Sequence, residues 1–281
     1  MKLLKKSFVS RARLFQCALF AFLFAGFAVK SEATIYTVTS TAGGTAYSAS
    51  YDDSVNGFTS WAAAGANQLA LQSLYYSENG GSVSLLTSPA VTTSSNGNVK
   101  KLIVTYSILG SGTLVDTMTV NGSTLGESIV FNNTSGTALN MKIFQYSDFV
   151  LGGPAAAGSQ TLNITPSPVD GGYATANQSG GGRTLTWNGD APGFTTLVQA
   201  DSSGSPFGAF IGSATDLDNT TLTANNTYAV FGYEFYGSVG AGGKLSISET
   251  SAFPVPEPSS VALISSGMLA LALLRRRRRG A

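Results

Sequence analysis

The 281-residue chain has no histidine and a single cysteine, Cys17, which lies near the N-terminus. The long middle part, residues 34–253, therefore contains neither residue type. This body can form no disulfide, no thiolate nucleophile, no Cys/His zinc site and no histidine-dependent catalytic triad. Paired carboxylates remain chemically available, because hydrolysis by two carboxyl groups needs no histidine.

Charge is also scarce: charged residues make up 11% of the chain, against roughly 25% in ordinary soluble domains. The near-neutral total hides an acidic body, since residues 34–253 hold five basic and thirteen acidic residues, a formal charge of −8. Nucleic acid is excluded as a partner of the body, because phosphate neutralisation needs clustered Lys and Arg.

The N-terminal segment has the three regions of a secretory signal peptide. A basic stretch up to Arg13 precedes an apolar run from Leu14 to Val29 and then Ser31-Glu32-Ala33. We predict cleavage by signal peptidase after Ala33, with Ala28 as the alternative. An uncleaved anchor is disfavoured because the run has 16 residues, fewer than the ~20 of a spanning helix. A lipid anchor on Cys17 is disfavoured because that cysteine begins the apolar run.

The C-terminal segment reads as a membrane anchor with a cytoplasmic stop. Residues 261–274 are largely apolar, and 14 residues of helix reach ~21 Å, so bilayer thinning and arginine snorkelling are needed to span. We predict a positive-inside stop anchor formed by Arg275, Arg276, Arg277, Arg278 and Arg279. Nucleic-acid binding by this run and burial of 261–274 in a core are the disfavoured alternatives.

The sequence Val255-Pro256-Glu257-Pro258-Ser259-Ser260, followed by an apolar run and an arginine cluster, resembles the PEP-CTERM sorting signal. That signal is found on exported proteins of Gram-negative bacteria that make exopolysaccharide. The resemblance implies transient anchoring in the inner membrane, recognition of Pro256, Glu257 and Pro258 by an exosortase, and loss of the tail on cleavage. The prolines keep the site extended, since proline resists helix continuation.

The body shows alternating apolar and polar residues between turn signals, which predicts one all-β domain folded as an antiparallel, jelly-roll-like β-sandwich. A signal helix and a membrane helix are expected to flank it. The predicted domains are therefore a signal peptide at 1–33, a secreted β domain at 34–253 and a sorting signal at 254–281.

Individual strands follow from the same alternation. We predict strands at 34–40, 45–51, 183–187, 225–237 and 244–249, and hairpins at 100–120 and 128–149. Residues 60–76 could hold a short helix, but Gly65 interrupts it, so a strand with Leu69 and Leu71 on one face is favoured. Residues 151–160 form a loop.

Part of the body, NTSGTALNMKIFQYSDFVLGG at 133–153, resembles a stretch of many PEP-CTERM proteins, and YAVFGYEFYG resembles their penultimate strand. The resemblance implies a β-sandwich of no established activity and supplies no catalytic residues.

The acids suggest two kinds of site. Asp52-Asp53 and Asp216-Leu217-Asp218-Asn219 are the densest acidic spots. Asp216, Asp218 and Asn219 could begin a calcium site, but the glycine and glutamate of a calcium-binding loop are missing, so solvated turns are favoured. A glycosidase pair would need carboxyls ~5–9.5 Å apart, and the candidates are Glu78, Glu127, Glu234 and Glu249. Asp148 and Glu234 both lie in aromatic strands that could line a sugar groove.

Aromatic residues and sequons have ordinary structural interpretations as well. The aromatic residues could stack on carbohydrate, but core filling is the favoured interpretation. The residues concerned are Trp61, Trp187, Tyr75 and Tyr76. Seven Asn-x-Ser/Thr sequons reflect Asn- and Thr-rich turns first; they begin at Asn121, Asn132, Asn133, Asn163, Asn177, Asn219 and Asn225.

We therefore expect an exported protein of the cell surface or extracellular matrix, structural or adhesive and in contact with exopolysaccharide. The expectation includes no enzymatic activity, no catalytic residues, no metal and no cofactor. A carbohydrate-active enzyme using carboxylates is the alternative.

Overall fold

The computed structural model describes residues 33–63, 65–153, 158–166, 174–201, 216–217, 223–227 and 229–252. All strands belong to the unit that begins at Ile35. Within these ranges the chain forms eighteen strands in two nine-stranded sheets. The predicted signal helix and membrane helix lie outside the described residues. Among those that are described, none forms a helix long and apolar enough to span a membrane.

Sheet A has the strand order β1-β2-β3-β5-β11-β17-β15, with β4 on β3 and β6 on β5. Its strands are β1 (Ile35–Ala42), β2 (Thr45–Asp52), β3 (Gly57–Ala63), β4 (Ala66–Asn67), β5 (Leu69–Glu78), β6 (Ser84–Leu85), β11 (Leu139–Phe149), β15 (Thr195–Asp201) and β17 (Val230–Val239).

Sheet B has the strand order β16-β12-β13-β14-β18-β10-β9-β8-β7. Its strands are β7 (Ala90–Asn96), β8 (Val99–Ile108), β9 (Gly112–Asn121), β10 (Thr124–Asn133), β12 (Gln160–Thr165), β13 (Ala174–Gly180), β14 (Arg183–Asp190), β16 (Thr223–Thr227) and β18 (Lys244–Ala252). Every pairing in both sheets is antiparallel.

The predicted antiparallel β-sandwich is confirmed, because one hydrophobic cluster takes its members from both sheets. Trp61 and Phe149 come from sheet A and Trp187 from sheet B, and their rings meet at centroid distances of 5.4 to 6.3 Å. Such packing lets alternate residues of each strand face the core and the others face outward.

The β1–β2 hairpin forms as predicted, and its turn is made by two glycines. Gly43 and Gly44 both have positive φ, 56° and 79°, as a two-residue hairpin turn with the right twist requires. The predicted hairpin through Gly110 to Gly112 is also present, as β8 and β9.

The predicted hairpin at 128–149 is wrong. Residues 128–133 belong to β10 in sheet B and residues 139–149 to β11 in sheet A, so the chain crosses from one sheet to the other between them. Asn133 holds this crossing: its Nδ2 donates to the carbonyls of Thr137, at 2.8 Å, and Val239, at 2.9 Å. The sequence pattern cannot distinguish a hairpin from a crossing, because both begin with a strand and a polar turn.

Two further strand predictions need correction. The single strand predicted at 225–237 is two strands in different sheets, β16 and β17. Residues 60–63, 66–67 and 69–76 lie in strands, as favoured, but Leu69 and Leu71 lie on opposite faces. Leu69 belongs to the core cluster and Leu71 packs in a second cluster outside sheet A. An irregularity in register places Asp148 opposite Leu71 and Phe149 opposite Leu69, which reverses the alternation.

Candidate functional site

The residues predicted for sorting and anchoring lie outside the described residues, and their roles stay predictions. This applies to Pro256, Glu257, Pro258, Arg275, Arg276, Arg277, Arg278 and Arg279. Ala33, the predicted cleavage residue, is exposed and lies two residues before the start of β1.

The four glutamates predicted as glycosidase candidates lie in three different environments. Glu127 on β10 and Glu249 on β18 are buried and directly opposite each other in the register. Glu234 on β17 is buried on the outer side of sheet A, and Glu78 is half-buried at the end of β5. Of these four glutamates, the structure thus places only Glu127 and Glu249 directly opposite each other on neighbouring strands.

Glu127 and Glu249 join Asp116 in what we call the core carboxyl cluster (Asp116, Glu127, Glu249). Asp116 lies on β9, next to β10, and all three residues are buried between the sheets. Sheet A supplies neutral donors to the two glutamates. Gln145 Nε2 donates to Glu127 Oε2 at 2.7 Å and to Glu249 Oε2 at 2.5 Å.

Two more neutral groups complete this network. Gln72 Nε2 donates to Glu127 Oε2 at 2.7 Å, and Trp187 Nε1 donates to Glu249 Oε2 at 2.9 Å. The hydroxyls of Tyr51 and Tyr106 lie 3.2 Å apart. Burial raises the pKa of both tyrosines, and a negative charge on Asp116 adds to this effect.

The core carboxyl cluster is held as neutral acids. Burial, with a smaller contribution from the negative charge of Glu249, raises the pKa of Asp116 to about 8, although a hydrogen bond with Glu127 acts to lower it. Burial and the neighbouring carboxyls also raise the pKa of Glu127 and of Glu249 well above the usual range. Glu127 lies close enough to Asp116 and to Glu249 for a protonated carboxyl to donate a hydrogen bond to its neighbour. The contact with Asp116 adds to the raised pKa of Glu127, and the contact with Glu127 adds to the raised pKa of Glu249. Since the row is sealed in the core, these acids are not a glycosidase pair.

Sequence reasoning named Glu127 and Glu249 but missed their partners. A signal was present: Asp116 occupies the same alternation phase as Leu114 and Met118, which face the core. Gln72 and Gln145 likewise occupy inward phases of their strands.

A second acidic group lies outside sheet A. We call it the outer-face centre (Lys142, Asp216, Glu234). Lys142 Nζ contacts Asp216 Oδ1 and lies 3.4 Å from Glu234 Oε1. The backbone N–H of Leu217 donates to Glu234 Oε2 at 2.7 Å. Lys142 also stands 5.7 Å from the ring centroid of Tyr236, within cation–π range.

Apolar neighbours explain the electrostatics of Glu234. It is paired with Phe144 on one side and Leu197 on the other, within a cluster that includes Tyr146, Leu217 and Val230. Burial raises the pKa of Glu234 to about 7, although the Leu217 N–H and Lys142 act to lower it. Such a group can take and return a proton near neutral pH.

Lys142 keeps its charge in this setting. Burial lowers its pKa, but the hydrogen bond to Asp216 and the negative charges of Glu234 and Asp216 outweigh that effect and leave the pKa raised. Sequence reasoning had not placed Lys142 in any site.

Asp148 and Glu234 face the same outer side of neighbouring strands, but they are too far apart for a glycosidase pair. Glu234 pairs with Phe144, four residues before Asp148 on β11, and four strand residues span ~13 Å. This exceeds the ~9.5 Å upper limit for such pairs.

The calcium candidates remain dispersed among the described residues. Asp52 Oδ1 accepts bonds from the backbone N–H and hydroxyl of Ser54, at 2.8 and 2.6 Å, an ordinary turn contact. Asp218 and Asn219 lie outside the described residues. No group of three or more acidic, cysteine or histidine side chains suited to a metal occurs in the described ranges.

The aromatic residues divide as their alternation predicts. Trp61 and Trp187 are fully buried in the core, which confirms the core-filling interpretation for both. Tyr75 and Tyr236 are half-buried on the outer side of sheet A. Tyr233 and Phe235 face the core while Glu234 faces outward, as expected.

Comparison with solved structures finds proteins to which this chain is similar in fold. A galactose mutarotase-like protein from Clostridium acetobutylicum matches with a TM-score of 0.50 and 6% identity, over 78% of this chain and 98% of that one. A putative aldose 1-epimerase from Escherichia coli K12 has a TM-score of 0.43 and 8% identity, over 79% and 99% of the two chains. No curated protein sequence matches.

These structures correct one expectation. The prediction that the chain has no enzymatic activity is contradicted, because the described β domain shares its fold with one galactose mutarotase-like protein. The alternation of the sequence predicted the sandwich but not the order of its strands, on which the similarity depends.

The C-terminal region has a match of a different kind. A family model for the PEP-CTERM protein-sorting motif matches residues 254–279, next to the β domain and outside it. The motif directs export and membrane-anchored transit before processing, and it leaves the activity of the body open. The chain thus carries a PEP-CTERM protein-sorting motif, which implies export and an exosortase as processing partner.

Proposed function

We propose that the β domain binds exopolysaccharide at the outer side of sheet A and serves as a structural or adhesive component of the cell surface or matrix. The observation that carries the proposal is the outer side of sheet A, where two half-buried tyrosines lie near a lysine and a buried glutamate, in a fold shared with a galactose mutarotase-like protein. Export by the sorting motif brings this surface to exopolysaccharide.

Tyr75 and Tyr236 are the aromatic contacts in this proposal. Tyr75 on β5 pairs with Phe144 on β11. Tyr236 on β17 pairs with Lys142, which lies two residues before Phe144 on the same strand β11. The tyrosines are therefore two strands and two residues apart, roughly 12 Å. Both rings are amphipathic, which suits stacking on sugar rings with the hydroxyl directed to water.

The experiment is a depletion assay with exopolysaccharide from the producing cells. The wild-type chain is expected to sediment with the polymer, and Tyr75→Ala with Tyr236→Ala is expected to weaken binding at least tenfold. Leu109→Ala, at a fully exposed loop residue, is the matched control and keeps wild-type binding. Equal binding by all three proteins would refute the proposed face.

A sugar-converting activity is the second candidate, and the pKa of Glu234 favours it. A carboxyl with a pKa of about 7 can serve as both acid and base at neutral pH. Polarimetry of freshly dissolved galactose would show faster mutarotation with the wild-type chain than with Glu234→Gln. Release of sugar from the exopolysaccharide, or a chemical change in the polymer, would contradict the adhesive proposal and show that the chain converts the polymer.

Processing at both ends is the remaining part of the proposal. Signal peptidase would remove residues 1–33, and exosortase would cut near Pro256-Glu257-Pro258, which leaves the secreted domain 34–253. The mass of the exported form tests this: Glu257→Ala is expected to retain the arginine tail that wild type loses. If wild type also keeps the tail, exosortase handling at this motif is wrong.

A further inference from the structure

The outer-face centre places two carboxyl groups, those of Asp216 and Glu234, beside the amine nitrogen of Lys142. Lys142 Nζ contacts Asp216 Oδ1, and Glu234 Oε1 lies 3.4 Å from the same nitrogen. Glu234 makes no ion pair with a second cation in the described residues; its other oxygen accepts the Leu217 N–H at 2.7 Å. The group that touches the amine is thus held in place by the residue next to Asp216.

We propose that Lys142 and Asp216 condense to an intramolecular amide, with Glu234 as the proton carrier. The bond joins a strand of sheet A to the segment that follows β15. The inference is independent of the proposed polysaccharide binding, because it concerns a covalent bond within the chain.

The condensation balances without an external reagent. The ammonium of Lys142 gives one proton to Glu234, and the free amine attacks Cγ of Asp216 to form the C–N bond. One carboxyl oxygen of Asp216 leaves as water, taking the proton returned by Glu234 and the second proton lost by the nitrogen. The products are a neutral amide, one water molecule and Glu234 in its starting state, with no change of oxidation state.

The surroundings favour this step over a permanent ion pair. Phe144 lies beside Glu234 in the register, and Tyr146, Leu217 and Val230 extend the apolar wall. Burial of the Glu234 carboxyl strengthens its interaction with the Lys142 amine, and the fixed contact between Lys142 and Asp216 replaces a bimolecular encounter. The side chain of Asp216 is 60% exposed, so the released water has a direct route out.

The acid–base properties support the roles. Burial raises the pKa of Glu234 to about 7, which lets it both accept and return a proton. The pKa of Lys142 is raised by Asp216 and Glu234 against the opposing effect of burial, so loss of the ammonium proton limits the rate. We therefore expect a slow maturation that finishes after folding and is faster at pH 9 than at pH 6.

Such a bond would close a large loop. Lys142 and Asp216 are 74 residues apart in sequence, and the strands from β12 to β15 lie between them. A body without cysteine has no disulfide to join these regions, and the amide would supply a link that no reductant can break.

The test is the intact mass of the purified full-length chain and of three variants. Wild type is expected to lack the mass of one water molecule, and fragmentation should yield a branched peptide that joins residues 142 and 216. Lys142→Arg and Asp216→Ala should show the full calculated mass. Glu234→Gln should fold with a normal circular-dichroism spectrum and form the bond at least tenfold more slowly.

The controls separate this amide from other dehydrations. Lys244→Arg replaces a lysine on β18 and should retain the water loss. A cyclic imide at an aspartate also loses water, but it would persist in Lys142→Arg. A wild-type chain at its calculated mass, or water loss that survives Lys142→Arg, would overturn the proposal, whatever the polysaccharide assay shows.

Discussion

The core carboxyl cluster shows how single residues gain properties that their type does not predict. Asp116, Glu127 and Glu249 would be charged in water, yet they lie between two sheets with amide and indole donors around them. Each buried charge would cost several kcal/mol, so the carboxyls keep their protons. The hydrogen bonds from Gln72 and Gln145 of sheet A to the glutamates of sheet B favour one register of the two sheets, because a shifted strand would separate the glutamates from these donors.

Stability is therefore expected to fall as pH rises. The folded pKa of Glu127 lies well above that of the unfolded chain, so the folded state holds the proton longer. The free energy of unfolding is then greatest below the ordinary carboxyl range and decreases as pH rises toward and beyond 8, where Asp116 also titrates. Each such group contributes a slope of up to ~1.4 kcal/mol per pH unit.

The variant Glu127→Gln tests this prediction. Glutamine keeps a neutral donor and acceptor, so the variant should lose less stability between pH 5 and pH 9 than wild type. Glu78→Gln, at the half-buried end of β5, is the control and should follow the wild-type curve. Urea unfolding at several pH values measures all three, and parallel curves would show that Glu127 is ionised in the folded protein.

At the scale of elements, crossings between the sheets rather than the strands themselves define the topology. Asn133 ends β10, and its amide group reaches the carbonyls of Thr137 and Val239 while its Oδ1 accepts the Ser135 N–H at 2.9 Å. One side chain thus ties the crossing to the end of β17 in the other sheet. Its burial also removes Asn133 from the accessible sequons.

Replacement of Asn133 should destabilise the domain where replacement of its neighbour does not. Asn133→Ala leaves carbonyls of the crossing without donors, at a cost of about 1–3 kcal/mol. Asn132→Ala changes a half-buried side chain on the outer side of sheet B and should stay within about 0.5 kcal/mol of wild type. Chemical denaturation compares them, and equal free energies of unfolding would show that the crossing does not depend on Asn133.

At the scale of the whole molecule, stability depends on contacts between distant parts of the chain. The two sheets share one core, and the outer-face centre adds a link between residues 74 apart. By the chain-entropy relation, a covalent loop of this length contributes about 4 kcal/mol. An exposed ion pair alone contributes ~0–1 kcal/mol.

Thermal unfolding of Asp216→Ala distinguishes these two magnitudes. With the amide in place, wild type should melt well above the variant, by roughly 8 °C or more, since 1 kcal/mol corresponds to ~2–4 °C at this size. With an ion pair alone, the two melting temperatures should differ by less than ~4 °C. Lys142→Arg keeps the ion pair without the amide and should melt close to Asp216→Ala.

Much of the fold could be predicted from local pattern. Period-two alternation and paired glycines such as Gly43-Gly44 depend on neighbouring residues, so they indicate strands, turns and the antiparallel sandwich correctly. The sorting motif is likewise linear, and order and spacing of residues are sufficient to recognise it.

Three features could not be predicted from the sequence pattern and follow from tertiary contacts: which strands share a sheet, which face Leu69 and Leu71 occupy, and which acidic side chains lie next to each other. Glu127 and Glu249 lie 122 positions apart in the sequence but opposite each other in the register, and Glu234 meets Lys142 and Asp216 outside sheet A. The physical reason is that alternation determines only the two faces of a strand. The partner of each face, and therefore its burial, charge and chemistry, depends on long-range pairing between strands.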